Sequence, residues 1–109
     1  MGLFNLFKHV DINAEVEAMK SVENAVLLDV RTEEEYSGGH IPGSKNVPVE
    51  KIEIVVDVIT DKNTPVYVYC LRGSRSASAV SAMEKMGYTN AKSIGGIASY
   101  KGETVIGSN

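Results

Sequence analysis

The chain has 109 residues, of which 43% are hydrophobic and 23% are charged, and its formal net charge is −3. This length suits one domain with its own core. The absence of a basic excess argues against a nucleic-acid surface, which would need Lys and Arg to neutralise phosphates. No apolar stretch approaches the roughly 18 residues of a membrane span. We therefore expect a single domain over residues 1–109, with loosely ordered ends at residues 1–6 and 105–109, and no membrane contact.

Cys70 is the only cysteine in the chain. One cysteine excludes an internal disulfide, a Cys-x-x-Cys motif and a thiol metal cluster. His9 and His40 are far apart in the sequence, so we predict no metal site and no cofactor. Such cysteine usage favours a reducing, cytoplasmic setting.

The N-terminal region predicts a short edge strand over residues 7–12 and a helix over residues 14–21, with Asn13 as the N-cap. The apolar residues 1–7 are too few for a signal peptide and lack a basic start. We expect them to dock on the domain or to fray.

Residues 25–30 form a continuous apolar run, typical of a parallel strand that is buried on both faces. Asp29 and Arg31 mark the end of this run, where α/β sheets place their ligand crevice. They suit a structural ion pair as well as direct chemistry, because buried charges must be paired. Thr32 and Glu35 then match a capping box that starts a helix.

Three glycines and a proline predict an irregular loop over residues 37–44. His40 in this loop suits a bond to loop backbone better than a general base. Residues 46–48 predict a short strand or an extended link. Ile52, Val55, Val56 and Ile59 follow a helical spacing, so we predict a helix over residues 50–59 despite its β-branched content.

The second apolar strand is predicted over residues 64–70 and ends at Cys70. A helix over residues 76–86 follows, with its inner face marked by Ala79, Ala82, Met83 and Met86, and with Gly87 at the C′ position. A short strand is expected at residues 91–94. Gly95 and Gly96 then predict a close backbone approach before a short helix. This alternation of strands and helices predicts a parallel, three-layer α/β domain.

Between strand and helix lies the sequence Cys-Leu-Arg-Gly-Ser-Arg, residues 70–75. Unpaired N–H groups at a helix start favour an anion, and they favour thiolate over thiol. Gly73 gives the loop a permissive backbone, and Arg72 and Arg75 make it cationic. A nucleophile beside an anion site suits covalent chemistry on an anionic substrate. The alternative, an inert buried cysteine, is less compatible with the neighbouring glycine and arginines.

The chain resembles the single-domain rhodanese, or thiosulfate sulfurtransferase-like, family. The matching segments arrive in family order and span nearly the whole chain. They are residues 28–31, 33–36, 39–44, 68–76, 87–88 and 95–97. Tyr100 departs from the family, whose members often carry Trp there.

The resemblance implies a rhodanese-like fold, with a central, mostly parallel sheet flanked by helices. It implies that Cys70 carries sulfur as a persulfide and that the backbone of a substrate-binding loop holds the persulfide and the donor's anionic end. It further implies that Asp29 and Arg31 support this loop and that His40 and Pro42 are structural. The loop residues are Leu71, Arg72, Gly73, Ser74 and Arg75.

The expected partners are a small anionic donor such as thiosulfate and a thiol or cyanide acceptor, with a sulfur-accepting protein as an alternative, and a monomer is expected. Arg75 either stabilises the anionic sulfur or pairs with a carboxylate such as Asp29. Two other classes stay open. A binding module would keep the fold without turnover. A phosphatase or arsenate reductase would need a longer loop between its cysteine and arginine than residues 71–74 provide.

Overall fold

A parallel β-sheet occupies the centre of the molecule. The computed structural model describes residues 10–108, and within them the sheet has four strands in the order β2-β1-β3-β4. Each neighbouring pair is parallel, as predicted. The strands are β1 Val26–Asp29, β2 Lys45–Asn46, β3 Val66–Cys70 and β4 Ala91–Gly96.

Helices cover both faces of the sheet, so the predicted α/β fold with a parallel sheet flanked by helices is confirmed. The α-helices of the described residues are α1 Ile12–Met19, α2 Glu33–Gly38, α3 Val55–Val58 and α4 Ser74–Lys85. Two 3₁₀ segments, Val49–Ile54 and Ile97–Ser99, complete the helical structure there.

The side chains of β3 alternate between two hydrophobic clusters. Val66, Val68 and Cys70 pack on the side of α3 and α4. Tyr67 and Tyr69 pack on the side of α1. All five strand residues are buried, because helices cover both faces and leave no solvent-facing side to be polar. Burial on both sides fixes the register of β3 and therefore the position of Cys70 at its carboxyl end.

The N-terminal prediction is only partly correct. Of the predicted edge strand, residues 7–9 lie outside the described residues, and residues 10–11 do not form a strand. Helix α1 begins earlier than predicted, because Asp11 rather than Asn13 is the N-cap. Asp11 Oδ1 accepts a hydrogen bond from the Asn13 backbone N–H at 3.0 Å. Both residue types cap well, and the buried Ile12 belongs to the first turn.

The segment predicted as a helix over residues 50–59 is half 3₁₀. Lys51 departs from helical geometry, with φ −120° and ψ 30°, and regular α-helix spans only Val55–Val58. Val55 and Ile59 are buried as the spacing predicts, whereas Val56 is exposed. The β-branched residues of this segment explain why its α-helix is short, since their side chains lose conformational freedom in a helix.

The glycine-rich loop at residues 37–44 is held by buried polar contacts. His40 Nδ1 lies 2.8 Å from the Tyr36 carbonyl, and its ring stacks on Tyr36 at a centroid distance of 3.7 Å. The interpretation of His40 as a backbone-bonding residue is therefore consistent with its geometry. His40 also pairs its backbone with Val105, which lies in one of the ends predicted to be loosely ordered; residues 1–6 lie outside the described residues.

Strands β3 and β4 contain an irregularity beside Cys70. Val68 pairs with Ser93 and Cys70 pairs with Gly96, so two steps along β3 match three steps along β4. The extra residue makes a β-bulge, which Gly95 accommodates with a φ of +98°. The bulge brings Gly96 under the loop that follows Cys70.

Candidate active site

The thiol of Cys70 lies at the carboxyl end of β3, where the chain turns into α4. Cys70 is only 1% exposed. The Gly73 backbone N–H donates a hydrogen bond to Cys70 Sγ at 3.0 Å. Gly73 is the N-cap of α4 and has a φ of +113°, a conformation that favours glycine. The turn at Gly73 therefore folds the loop amides back toward the sulfur.

The hydrogen bonds of the loop stabilise the charged form of this thiol. Burial on its own raises the pKa of Cys70, because it disfavours a charge. The Ser76 hydroxyl and the backbone N–H groups of Ser76, Gly73 and Arg72 outweigh burial and lower the pKa below its ordinary value. The site thus increases the share of the thiolate, the nucleophilic form.

Two serines stand behind the sulfur. Ser76 is fully buried, and its Oγ lies 3.6 Å from Cys70 Sγ and 3.0 Å from the Gly73 carbonyl. Ser93 Oγ on β4 lies 2.7 Å from Ser76 Oγ. Ser93 is not predictable from the sequence, because nothing in a strand pattern reveals that its hydroxyl meets one on α4.

Arg75 makes a bidentate ion pair with Glu35 at the start of α2. The distances are 2.7 Å from Nη1 to Oε1 and 3.0 Å from Nη2 to Oε2. Of the two roles expected for Arg75, pairing with a carboxylate matches this geometry, with Glu35 as the partner in place of Asp29, which Arg31 engages. The Arg75 side chain lowers the pKa of Glu35 to about 2. The capping box at Thr32 was the one sequence signal that pointed to Glu35.

Asp29 and Arg31 form a second ion pair, buried beneath the loops. Both Arg31 Nε and Nη2 bond the Asp29 carboxylate, the latter at 2.7 Å, and Nη2 also donates to the Gly39 carbonyl at 2.7 Å. Asn46 Nδ2 donates to the carbonyls of both residues at 3.0 Å. Their described contacts connect loops to the sheet and do not include Cys70, which favours the structural interpretation of the pair.

The remaining loop residues differ in exposure. Arg72 and Ser74 are exposed, and Leu71 is half-buried. Arg72 borders a cleft of about 460 Å³ that Gly73, Ser93 and Gly95 also line. The loop therefore presents one cationic side chain, Arg72, to solvent, while the cation of Arg75 faces Glu35.

Two classes of feature are not found within residues 10–108. No group of three or more His, Cys, Asp or Glu side chains there is arranged to hold a metal ion. None of the helices in that range has the length and apolar content needed to cross a bilayer.

Comparison with known proteins identifies the class of this domain. The model of the rhodanese-like domain matches residues 13–103, so the chain belongs to the rhodanese-like domain family, as the sequence resemblance predicted.

Particular relatives narrow the comparison. The chain is 37% identical over 71 residues to the thiosulfate sulfurtransferase PspE of Escherichia coli, covering 64% of this chain and 68% of that protein. It is 33% identical over 91 residues to the adenylyltransferase and sulfurtransferase uba4 of Ogataea parapolymorpha, covering 83% of this chain but only 23% of that larger protein. A solved structure described as rhodanese with anions from E. coli superposes with a TM-score of 0.71 at 33% identity, covering 76% of this chain and 99% of that one.

Proposed function

We propose that this protein is a thiosulfate sulfurtransferase-like enzyme that carries sulfur as a persulfide on Cys70. The observation that carries the proposal is the Gly73 N–H at 3.0 Å from Cys70 Sγ, inside a loop that opens helix α4. A thiol held in this way is activated by its surroundings. Its relative PspE is named as a thiosulfate sulfurtransferase, which supports the same chemistry here.

The helix start supplies further donors for an anion. The first intrahelical bond of α4 runs from the Ala77 N–H to the Gly73 carbonyl, so the N–H groups of residues 74–76 precede the helical ladder. Together with the Gly73 N–H, we expect them to face the outer sulfur of a Cys70 persulfide. Arg72 adds a solvent-facing positive charge for the donor's anionic end. The loop residues 71–75 therefore form the proposed substrate site, supported by Asp29 and Arg31.

The reaction has two steps. The Cys70 thiolate attacks the outer sulfur of thiosulfate, the sulfur–sulfur bond of thiosulfate breaks, and sulfite leaves with the electron pair. An acceptor nucleophile, either cyanide or a thiol, then attacks the outer sulfur of the persulfide and restores the Cys70 thiolate. The cycle is ping-pong and needs no metal ligand or cofactor-binding group from the chain.

Intact mass spectrometry tests this proposal directly. Incubation with thiosulfate should add the mass of one sulfur atom, and cyanide should remove it with formation of thiocyanate. The Cys70→Ser variant should take up no sulfur while keeping the wild-type circular dichroism spectrum. Because Cys70 is the only thiol, sulfur on the wild-type protein reports this residue alone. A folded wild-type protein with a free thiol that gains no sulfur would refute the proposal.

A sulfur-carrying role toward a protein acceptor is the second candidate. The relative uba4 is named as a sulfurtransferase within a larger protein, and Arg72 is exposed beside Cys70 on the present domain. The persulfide chemistry is the same and only the acceptor differs. Single-turnover transfer from the persulfidated protein distinguishes the two roles. If the acceptor is a small thiol, that thiol alone should remove the outer sulfur from Cys70. If the acceptor is a protein, only that protein should remove it.

The phosphatase alternative is disfavoured by the size of the loop. Only four residues, 71–74, separate Cys70 from Arg75, and the Arg75 guanidinium is paired with Glu35 rather than facing an oxyanion. A loop of this size surrounds a sulfur atom better than a tetrahedral phosphate. Hydrolysis of an aryl phosphate by the wild-type protein, lost in Cys70→Ser, would revive that class. We further propose that the protein works as a monomer in a reducing, cytoplasmic setting, where its single thiol stays reduced.

A further inference from the structure

Behind Cys70, a pair of serine hydroxyls forms a short chain from the sulfur to strand β4. Cys70 Sγ lies 3.6 Å from Ser76 Oγ, and Ser76 Oγ lies 2.7 Å from Ser93 Oγ. Ser76 is fully buried, whereas Ser93 is half-buried and lines the cleft beside Arg72. The two serines come from different elements, so their contact depends on the packing of α4 against β4.

The hydroxyl of Ser76 has one proton and several acceptors within reach. In the thiol form, the Cys70 S–H points at Ser76 Oγ, and the Ser76 hydroxyl donates to the Gly73 carbonyl at 3.0 Å. Once the thiol loses its proton, the sulfur has no hydrogen to give. The same contact then stabilises the thiolate only if the Ser76 proton turns toward the sulfur.

The direction of the bond between the two serines decides whether that turn is available. If Ser76 donates to Ser93, its single proton is used and the sulfur receives none. If Ser93 donates to Ser76, the Ser76 oxygen is satisfied and its proton is free to reach the sulfur. Hydroxyls in series also polarise one another, which strengthens the terminal bond.

We propose that Ser93 is a positioning residue, whose hydroxyl donates to Ser76 Oγ and thereby directs the Ser76 hydroxyl to the Cys70 thiolate. Ser93 does not touch the sulfur and acts only through Ser76. The inference rests on the proposed function in taking Cys70 as the nucleophile. In this proposal, a residue of β4 helps to stabilise the Cys70 thiolate, although β4 lies outside the 70–75 segment.

The charged groups around the sulfur stay the same in the experiment that follows. Arg72 and Arg75 lie on the loop and on α4, and Asp29 lies at the end of β1. Lys92, next to Ser93 on β4, pairs with Glu15 of α1 at 2.7 Å. Replacing a serine hydroxyl removes a hydrogen bond and leaves all these charges in place.

The test is a pH titration of the ultraviolet absorbance of the thiolate, compared among Ser76→Ala, Ser93→Ala and the double variant. Because Cys70 is the only cysteine, the thiolate signal belongs to this residue, and a parallel titration of Cys70→Ser gives the absorbance of the five tyrosines to be subtracted. Loss of a hydrogen bond to a charged group should raise the titration midpoint of Ser76→Ala by about one pH unit, a tenfold fall in the thiolate-to-thiol ratio. Ser93→Ala should raise it by about half a unit. The double variant should match Ser76→Ala, because Ser93 acts only through Ser76.

The matched control is Ser78→Ala, which removes an exposed hydroxyl from the same helix and should leave the midpoint unchanged. An unshifted midpoint in Ser93→Ala, or additive shifts in the double variant, would overturn the proposal. The titration needs no sulfur donor. A protein that takes up no sulfur would therefore refute the proposed function without deciding this experiment.

Discussion

Gly96 offers a sharp test of how closely β4 supports the active-site loop. Its backbone is extended, with φ −134° and ψ 146°, so any residue could adopt its conformation. The constraint is space. A Cβ built on Gly96 would lie 2.0 Å from the Leu71 carbonyl oxygen and 2.5 Å from Arg72 Cα. These are backbone atoms of the loop that follows Cys70, and they cannot rotate away as a flexible side chain would.

The displacement that Gly96→Ala requires follows from these distances. Real Cβ atoms essentially never approach closer than 3.0 Å, so the Leu71 carbonyl must move by at least 3.0 minus 2.0, or 1.0 Å. That carbonyl also accepts the Ala98 N–H at 3.0 Å. Overpacking of this kind costs about 1–3 kcal/mol of stability. Misplacing a catalytic group by about 1 Å can lower turnover by about 100-fold.

Two other glycines separate this steric effect from other consequences of adding a methyl group. Gly38→Ala meets no atom within 4 Å and should keep wild-type turnover. Gly95→Ala has its nearest neighbour at 3.8 Å but a φ of +98°, so it should lose about 1–2 kcal/mol of stability to backbone strain. Thiocyanate formation from thiosulfate and cyanide, measured beside urea denaturation, reports both quantities. Wild-type turnover in Gly96→Ala would refute the argument from close packing.

Three further substitutions test the charges of the site. Arg72→Ala should raise the KM for thiosulfate by about two- to fivefold with little change in kcat, because an exposed charge contributes about 0.2–1 kcal/mol, and the effect should shrink in high salt; a fall in kcat at constant KM would contradict this. Asp29→Ala should cost about 3–5 kcal/mol in urea denaturation, because it leaves the buried Arg31 unpaired, and adding Arg31→Met should recover part of the loss. Glu35→Gln should be less stable than wild type near neutral pH. The Glu35 carboxylate stabilises the fold at pH values above 4.5, its pKa in the unfolded chain. This stabilisation is lost as the pH falls toward about 2, the pKa of Glu35 in the folded protein. The difference in stability between wild type and Glu35→Gln should therefore narrow between these two pH values. It should stay below about 3 kcal/mol, since the pair is about a third exposed and solvent screens it; a constant difference across the interval would argue against an ionic origin.

Interactions between residues close in the sequence were predictable. The capping box of Thr32 and Glu35 is present with both of its hydrogen bonds, since one turn of helix brings the two side chains together wherever the helix lies. The alternation of apolar strands and helical patterns predicted the parallel α/β fold for a similar reason. Each pattern states which faces of an element must be buried.

Contacts between distant elements were not predictable in the same way. The pairing of Arg75 with Glu35 joins residues 40 positions apart, and it arises because the starts of α2 and α4 meet at one edge of the sheet. The sequence offered Asp29 only as an example of a carboxylate partner for Arg75, and Arg31, two positions away, had already engaged it. The same holds for Ser93, because no sequence pattern indicates which residue a serine in an edge strand will contact.

The bulge in β4 limits where this domain tolerates an inserted or deleted residue. Three steps of β4, from Ser93 to Gly96, match two steps of β3. Deleting Gly95 would leave Gly96 opposite Cys70 in an even ladder, and it would remove the bend and the extra twist that the bulge gives the strand there. The close approach of Gly96 to Leu71 and the entry of the chain into the Ile97–Ser99 turn both depend on that bend. The number of residues between Ser93 and Ile97 is therefore constrained as well as their identity. Homologues of this domain should have their insertions and deletions outside this segment.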